Sequence, residues 1–392
     1  MKHQSPAAWL SLALLIVASS GCASRPIDAP AIQTPTLRAP TLVPTVPTLP
    51  APTARSAPSL TRLSMGTPRA AHSATLLADG RVLIAGGFRG NEEAIGAAEL
   101  FDPALGAFRP LGPMLDPRVG HTATRLQDGR VLIVGGWSNH QRVDTVEIFD
   151  PATETFKRLG RLNAPRADHT ATLLVDGRVL IAGGFEARNA PRGIAEVFDP
   201  RANVFIAAGT LRVPRSGHTA TLLGDGRVLI AGGTLAEDKV TASMEIFDPV
   251  SNVFTAAQDL AIRRRKHAAV MLADGRVLIL GGTDERDWAN PYDATEIFDP
   301  RTGALAPGPT LNAARFKLAD AVVTLANGDV LVGGGAQQVE VLDPARMTFS
   351  ARLKLDADYF FSTATVLASG QALIAGGYDR RIQATASAWI YR

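Results

Sequence analysis

A sixteen-residue block that occurs seven times along this chain of 392 residues constrains the fold more than any other feature. The block reads HSATLLADGRVLIAGG at 72–87 and returns almost unchanged from 121, 169, 218 and 267. Two degenerate copies follow, DAVVTLANGDVLVGGG from 320 and STATVLASGQALIAGG from 362. The first glycines of the closing pairs lie 42 to 53 residues apart, a period typical of repeat architectures. The chain is therefore expected to fold as one repeat array.

Each repeat divides into four predicted strands. Two β-compatible stretches, TATLL and RVLIAGG, are joined by Asp-Gly in five copies and by Asn-Gly in one, dipeptides that favour a tight hairpin turn. A third stretch such as AELFDP ends in Asp-Pro, because proline cannot donate to a strand ladder. A fourth begins five or six residues later at an apolar side chain, Phe108 in the first copy. One repeat thus predicts one four-stranded antiparallel blade.

The Gly-Gly ending, the aromatic-centred third strand and the further aromatic before an Arg-containing link resemble the kelch motif of β-propellers. The resemblance covers roughly residues 60 to 392. It implies an all-β fold, a seven-bladed kelch-type β-propeller with four-stranded antiparallel blades. The fourth strands differ from the usual kelch pattern, since they carry Phe where Trp is common.

The two ends of the repeat region predict how the ring closes. The chain ends in AWIYR, which aligns with a third strand, so the seventh blade lacks its own fourth strand. Residues 58–66, PSLTRLSMG, precede PRAAH as fourth strands precede PRVGH elsewhere. We therefore expect the propeller to span 58–392, with an N-terminal strand that completes the last blade and protects its edge.

Residues 1–22 resemble a bacterial lipoprotein-type export signal. The apolar run at 7–18 is too short to span a bilayer but has the length of a signal-peptide core. The only cysteine, Cys22, follows Ser-Ser-Gly as in a lipobox, which implies lipidation at this residue. Ser19 stands where Leu is usual, so ordinary secretion is the alternative.

Residues 23–57 are rich in Pro, Thr and Ala and predict a semi-extended tether. We expect an exported monomer that is lipid-anchored in the bacterial cell envelope and touches the membrane through its lipid alone. Because 40 Lys and Arg are interspersed with 37 Asp and Glu, a nucleic-acid partner is not expected. A single cysteine excludes an internal disulfide.

Five of the seven histidines occupy one repeat position, the start of the innermost strand: His72, His121, His169, His218 and His267. Imidazoles that converge on a channel are able to ligate a metal. The favoured interpretation is structural, a hydrogen bond made once per blade, for example to a neighbouring backbone carbonyl. We predict no metal, no cofactor and no catalytic residue.

The candidate binding residues lie in the blade links and in the loops after Gly-Gly. Arginines three residues before the histidines offer forked hydrogen bonds to carboxylates or acidic sugars, or else pair with a neighbouring blade. They are Arg69, Arg118, Arg166, Arg215 and Arg264, with Lys317 near the same place in the sixth repeat. Arginines after the Asp-Gly turns, such as Arg81, and third-strand glutamates, such as Glu99, predict cross-strand structural pairs.

Aromatic residues directly follow four of the Gly-Gly pairs: Phe88, Trp137, Phe185 and Tyr378. They would stack on sugars or anchor a protein, or alternatively wedge between blades. The loop TDERDWANPYDA at 283–294 departs most from the repeat. Its Trp288 and Tyr292 complete the candidate binding set. A specific binding site is expected where the sequence departs from the repeat, because the fold itself does not require that departure.

These features favour a cell-envelope propeller that binds a protein or a glycan at its loop face and performs no catalysis. The alternative is a kelch-type sugar epimerase or mutarotase, which would need acid and base groups in the channel. Copper radical oxidases, of which galactose oxidase is a seven-bladed example, need a cysteine bonded to a tyrosine. The sole cysteine, Cys22, lies outside the repeats, which argues against that activity.

Overall fold

The structure, a computed structural model, describes residues 57–90, 93–185 and 190–392. They belong to one compact unit, Ser56–Arg392. The signal peptide, Cys22 and nearly all of the tether lie outside the described residues and stay predictions. Within the described part, no helix has the length and apolarity needed to cross a membrane.

Seven four-stranded antiparallel sheets form the blades of a propeller, and the predicted fold class is confirmed. A strand that precedes the first blade is β1 (Leu60–Ser64). From the inside outward, the first blade comprises β2 (Ser73–Leu76), β3 (Val82–Ala85), β4 (Ala98–Asp102) and β5 (Ala107–Leu111). The second blade comprises β6 (Thr122–Arg125), β7 (Val131–Val134), β10 (Thr145–Asp150) and β11 (Thr155–Arg161). The third blade comprises β12 (Thr170–Leu173), β13 (Val179–Ala182), β14 (Ile194–Asp199) and β15 (Val204–Thr210). A small hairpin in the second blade consists of β8 (Trp137–Ser138) and β9 (Gln141–Arg142).

The later blades repeat this order. They comprise β16 (Thr219–Leu222), β17 (Val228–Ala231), β18 (Met244–Asp248) and β19 (Val253–Ala256); β20 (Ala268–Met271), β21 (Val277–Leu280), β22 (Thr295–Asp299) and β23 (Ala304–Pro307); β24 (Val322–Thr324), β25 (Val330–Val332), β26 (Gln338–Asp343) and β27 (Thr348–Lys354); and β28 (Thr363–Val366), β29 (Ala372–Ala375) and β30 (Ser387–Tyr391). Two 3-10 turns, Ala236–Asp238 and Asp287–Ala289, lie in loops.

The ring closes as the sequence predicts. Strand β1 pairs antiparallel with β30, with Leu60 opposite Tyr391 and Ser64 opposite Ser387. The innermost strand β28 of the last blade lies beside β2 of the first. The N-terminal strand is therefore the fourth strand of the seventh blade.

Strand direction gives the propeller two distinct faces. The hairpin turns between the two inner strands of each blade lie on one, which we call the Asp-Gly face. The Gly-Gly pairs and the links between blades lie on the other, the Gly-Gly face. In the first blade, for example, Leu76 and Val82 meet at the Asp-Gly end, and Ser73 and Ala85 at the Gly-Gly end.

The core lies between neighbouring blades. The second strand of most blades is completely buried, as in Val131–Val134. Phe149 on β10 packs on Phe156 of β11, with ring centroids 4.9 Å apart, and both join a cluster with the first blade's Leu83. Apolar side chains of adjacent blades thus bury one another, which is why one repeat is not an independent core.

Each Gly-Gly pair forms a joint with the next blade. Gly135 has φ +61°, and a Cβ there would lie 2.5 Å from the Arg166 carbonyl oxygen, so only glycine fits. The N–H of Gly136 donates to that same carbonyl at 2.9 Å. Equivalent bonds to the following link occur after every blade and join the seven sheets.

A candidate ligand site at the mouth of the channel

The five arginines of the predicted binding arc are buried within the joints. The exposed fraction is 0% for all of them: Arg69, Arg118, Arg166, Arg215 and Arg264. Arg118 Nη1 donates to the carbonyls of Gly135 and Thr145, both at 2.9 Å, and Nη2 donates to Glu147 Oε1 at 2.7 Å. Because such a guanidinium already uses its donors inside the protein, the arginine arc is a structural element and the binding interpretation is corrected.

Each arginine pairs with the third-strand glutamate of its own blade, and a sixth pair extends the series. The pairs are Arg69–Glu99, Arg118–Glu147, Arg166–Glu196, Arg215–Glu245, Arg264–Glu296 and Arg315–Glu340. Glu99 also accepts the N–H groups of Gly66 and Thr67 at 2.7 and 3.0 Å, in the link from the preceding blade. Arg81, expected near the glutamates, bonds the turn residue Asp79 at 2.9 Å instead.

The repeated histidines connect the innermost strands of adjacent blades. His218 Nε2 is hydrogen-bonded to the hydroxyl of Thr170 at 3.0 Å, and the other four histidines make the same contact to Ser or Thr. The partner is a hydroxyl rather than the carbonyl that we expected. Burial, reinforced by the nearby arginine, lowers the pKa of His121 and His218 to about 3, so these imidazoles are neutral at neutral pH. They hold the channel wall together.

One residue of each blade link contributes to a ring around the channel mouth, which we call the neck ring. Its members share a φ between +49° and +61°, the left-handed region. They are Ala71, Gly120, Asp168, Gly217, Lys266, Lys317 and Phe361. Five of the seven neighbouring pairs are joined by backbone hydrogen bonds; the Lys317 N–H donates to the Lys266 carbonyl at 2.7 Å, and the Phe361 N–H donates to the Lys317 carbonyl at 3.1 Å.

The sixth blade differs from the expected alignment. Arg315, and not Lys317, occupies the arginine position, since it donates to Gly334 at 2.9 Å and pairs with Glu340. Leu318 takes the place of the histidine, because it packs against Gly281 in the way that the repeated histidines pack against the first glycine of other blades. Asp320 therefore belongs to a two-residue insertion. Lys317 is therefore a member of the neck ring and not of the arginine series.

A cavity of about 1080 Å³ opens at the Gly-Gly face and is enclosed by the neck ring. All seven neck-ring residues line it, together with the five repeated histidines and four aromatics that the sequence singled out after Gly-Gly. These aromatics are Phe88, Trp137, Phe185 and Tyr378. The structure thus brings them to the channel mouth, with Phe88 and Tyr378 buried and Trp137 and Phe185 half-buried.

Lys317 is the most unusual group of this mouth. Its side chain is buried, and its Nζ lies 4.0 Å from the centroid of the Trp288 ring and 4.9 Å from that of Phe316. The rings of Phe360, Phe361 and Tyr378 complete the surround within 5.7 Å. Nζ donates to the Tyr378 hydroxyl at 2.5 Å. Burial, together with the positive charges of Lys266 and Arg265, lowers the pKa of Lys317 to about 8.

The loop 283–294 covers one side of this aromatic surround. Trp288 stands in the 3-10 turn, 42% exposed, with its ring edge-on to Phe360 at 4.6 Å. Asp287 accepts a bond from Lys266 Nζ at 2.7 Å, which ties the loop to the neck ring. Tyr292, the other predicted residue of this loop, is a bridge partner of Arg315 and does not line the cavity. The structure therefore separates the two aromatics.

Three carboxylates line the same cavity from different blades, Asp168, Asp238 and Asp320. Asp168 of the neck ring accepts a bond from Trp137 Nε1 at 3.4 Å, and burial raises the pKa of its carboxyl. Asp320 is open to the cavity, yet the surrounding walls desolvate its carboxyl and raise its pKa as well. In the described residues, no group of three or more His, Cys, Asp or Glu is placed to hold a metal ion.

The neck ring is what sequence reasoning missed. A signal was present, because the residue before each repeated histidine reads Ala, Gly, Asp, Gly and Lys, while the arginine two residues earlier and the histidine one residue later do not change. A position that varies within an otherwise uniform repeat contributes little to the scaffold. These positions meet at one mouth, and a specific site is expected at such a surface.

Comparisons with known proteins support the same architecture. A family profile described as Kelch motif matches residues 117–163. A solved structure of a novel fungal alcohol oxidase of the AA5 family, in complex with copper, is 16% identical and superposes with a TM-score of 0.68, covering 84% of this chain and 75% of that one. The structure of YjhT is 13% identical with a TM-score of 0.55, covering 83% and 95%. Among curated proteins, none matches this chain in sequence.

At these identities the solved structures show a shared fold and nothing about activity. The kelch motif lies on the link into the second blade and on that blade's four strands, where the Arg118–Glu147 joint is found. A kelch motif at this place, in a closed ring of seven four-stranded blades, fits the kelch-repeat family.

Proposed function

We propose that the propeller is a non-catalytic binding module that takes a saccharide into the mouth of its central channel. The observation that carries this proposal is the concave cavity of about 1080 Å³, whose rim combines aromatic rings with charged side chains. Aromatic faces stack on the apolar faces of sugar rings, while charged groups orient hydroxyls and substituents. The ring of Trp288 is partly exposed at this rim and available for such stacking.

A protein partner is less well supported by this shape. A stable protein interface buries about 800 Å² on each side and is broad, whereas the neck ring lies inside a concavity. Export and lipid anchoring through Cys22 are part of the proposal, because they would present the mouth to saccharides of the cell envelope.

The first test is a glycan array probed with the full chain, followed by calorimetric titration of each saccharide retained. We expect Trp288→Ala to weaken binding roughly 10- to 30-fold, as truncation of a central aromatic contact does elsewhere. Val250→Ala is the matched control, since Val250 is 91% exposed in a turn of the Asp-Gly face. Absence of any retained saccharide, or equal binding by both variants, would contradict the proposal.

The second candidate is a sugar epimerase or mutarotase, and one observation favours it. Asp168 and Asp320 enter the cavity from different blades, and burial raises the pKa of both carboxyls, the direction that acid and base catalysis requires. If the protein is such an enzyme, exchange between sugar anomers, followed by NMR, should be faster with the protein than in buffer alone. Asp168→Asn should lower the enzymatic rate roughly 100-fold. Exchange at the buffer rate with every bound sugar would eliminate this candidate.

A further inference from the structure

Lys317 carries a positive charge that the described part of the protein does not neutralise. It is 5% exposed, and its one hydrogen-bonding partner there is the uncharged Tyr378 hydroxyl. None of the described carboxylates lies within ion-pair distance of its Nζ. Two of the three ammonium protons therefore have no acceptor, although a buried ammonium normally pairs with an anion.

The surroundings of Lys317 add positive charge. Arg265 and Lys266, from the preceding link, also line the cavity, and both lower the pKa of Lys317. Asp287 is the one carboxylate that acts on this group, and its Oδ1 is already held by Lys266 at 2.7 Å, with Arg265 at 3.8 Å. Lys266 and Arg265 thus share Asp287 at this corner of the mouth, and Lys266 also interacts with the Asp168 carboxyl. Asp168 and Asp320 line the same cavity, and neither forms an ion pair with Lys317.

Aromatic rings alone do not explain this lysine. Cation–π contacts with Trp288 and Phe316 stabilise the Lys317 ammonium. An apolar side chain in place of Lys317 would nevertheless fill the same space without the cost of desolvating a charge. The backbone adds to that cost, because Lys317 has φ +60°. A charged, strained and unpaired group directed at a cavity is the arrangement expected of a ligand site.

We propose that Lys317 is an anion-binding residue and that the saccharide taken up by the mouth carries a carboxylate or a sulfate ester docked on its Nζ. The saccharide part of this inference rests on the proposed function. The anion part does not, since it follows from the unpaired ammonium alone. Trp288 would cover the sugar ring beside the bound anion, because its ring lies against Nζ.

The first experiment needs no sugar. The full chain is titrated with sodium sulfate at constant ionic strength, and tryptophan fluorescence is followed, because Trp288 lies 4.0 Å from Nζ. We expect saturable quenching in the wild type and in Lys239→Met, a control whose lysine is an exposed partner of Glu237. Lys317→Met should lose the saturable component. Quenching that is not saturable, or that persists in Lys317→Met, overturns the anion site.

The second experiment compares an oligogalacturonide with its methyl ester, which retains the sugar rings and removes the charge. Loss of a hydrogen bond to a charged group should weaken the ester roughly 10- to 100-fold. Lys317→Met should bind acid and ester equally, and Lys317→Arg should restore a preference for the acid. Equal affinities in the wild type would refute the acidic-sugar assignment while leaving neutral sugar binding, and hence the proposed function, intact.

Thermal unfolding separates a ligand-binding lysine from a structural one. Lys317→Met removes an unpaired buried charge, so we expect the melting temperature to stay equal or to rise while sulfate binding is lost. A fall in melting temperature with unchanged sulfate binding would assign Lys317 to the scaffold. A sulfate response in the absence of any saccharide binding would support the anion site and reject the proposed function.

Discussion

At the scale of single residues, the channel separates two kinds of position. The histidines are uniform, neutral and hydrogen-bonded to hydroxyls of the preceding blade, whereas the neck ring is variable and holds five side chains in a left-handed backbone conformation. Such a conformation costs on the order of 1 kcal/mol per non-glycine residue and persists where the surroundings enforce it. Strain and variability coincide at the mouth, which is why we place the ligand there.

The buried histidines predict sensitivity to mild acid. They stay neutral in the folded state but take up protons below about pH 6.5 once unfolded, so the unfolded state binds more protons between that pH and about pH 3. The free energy of unfolding should therefore fall as the pH falls through this window. Asp168 and Asp320, whose pKa is raised, act in the opposite direction.

Urea denaturation between pH 7.5 and 4.5 measures this effect. We expect His218→Gln to reduce the acid slope by up to about 1.4 kcal/mol per pH unit, the value for one proton. His140→Gln is the control, since His140 is exposed at the tip of the β8–β9 hairpin. The prediction is wrong if both variants keep the wild-type slope.

At the scale of the structural element, the link between blades is built in two ways. Six links use a buried arginine and a third-strand glutamate. In the seventh blade the same positions carry Tyr359 and Trp389, whose rings pack with centroids 5.3 Å apart. An ion pair and an aromatic pair therefore fill the same joint, as expected where packing and not charge is the shared requirement.

Removal of one partner should nevertheless be severe. Arg215→Met leaves Glu245 buried with only backbone donors at 2.7 and 2.9 Å, and we expect a loss of about 3–5 kcal/mol in the free energy of unfolding. Arg301→Met is the control, because its pair with Asp299 is solvent-exposed and should contribute little to stability. Equal losses in the two variants, measured by urea denaturation, would refute this account of the joint.

At the scale of the whole molecule, the ring was predictable from turn chemistry and period. The Asp-Gly turns fixed the inner hairpins, and the alignment of AWIYR with third strands predicted that β1 closes the ring. The neck ring was only partly predictable: the varied residue before each repeated histidine marks its positions, but no local pattern encodes the backbone bonds that bring its members together. Lys317 was misplaced because the apolar residues after Asp320 align Asp320 with the histidine, while the structure shows that Leu318 occupies the histidine position.

The direction of β1 has a mechanical consequence. The strand starts at the Asp-Gly face beside Tyr391 and runs toward the Gly-Gly face, so the chain enters the propeller on the side opposite the mouth. A pull on the residues before Leu60, resisted by a ligand held at the mouth, would act along the axis of β1. Its hydrogen bonds to β30 would then be sheared together instead of opening one after another. The pairing that closes the ring is oriented to resist force between the proposed N-terminal lipid anchor and the ligand proposed at the mouth.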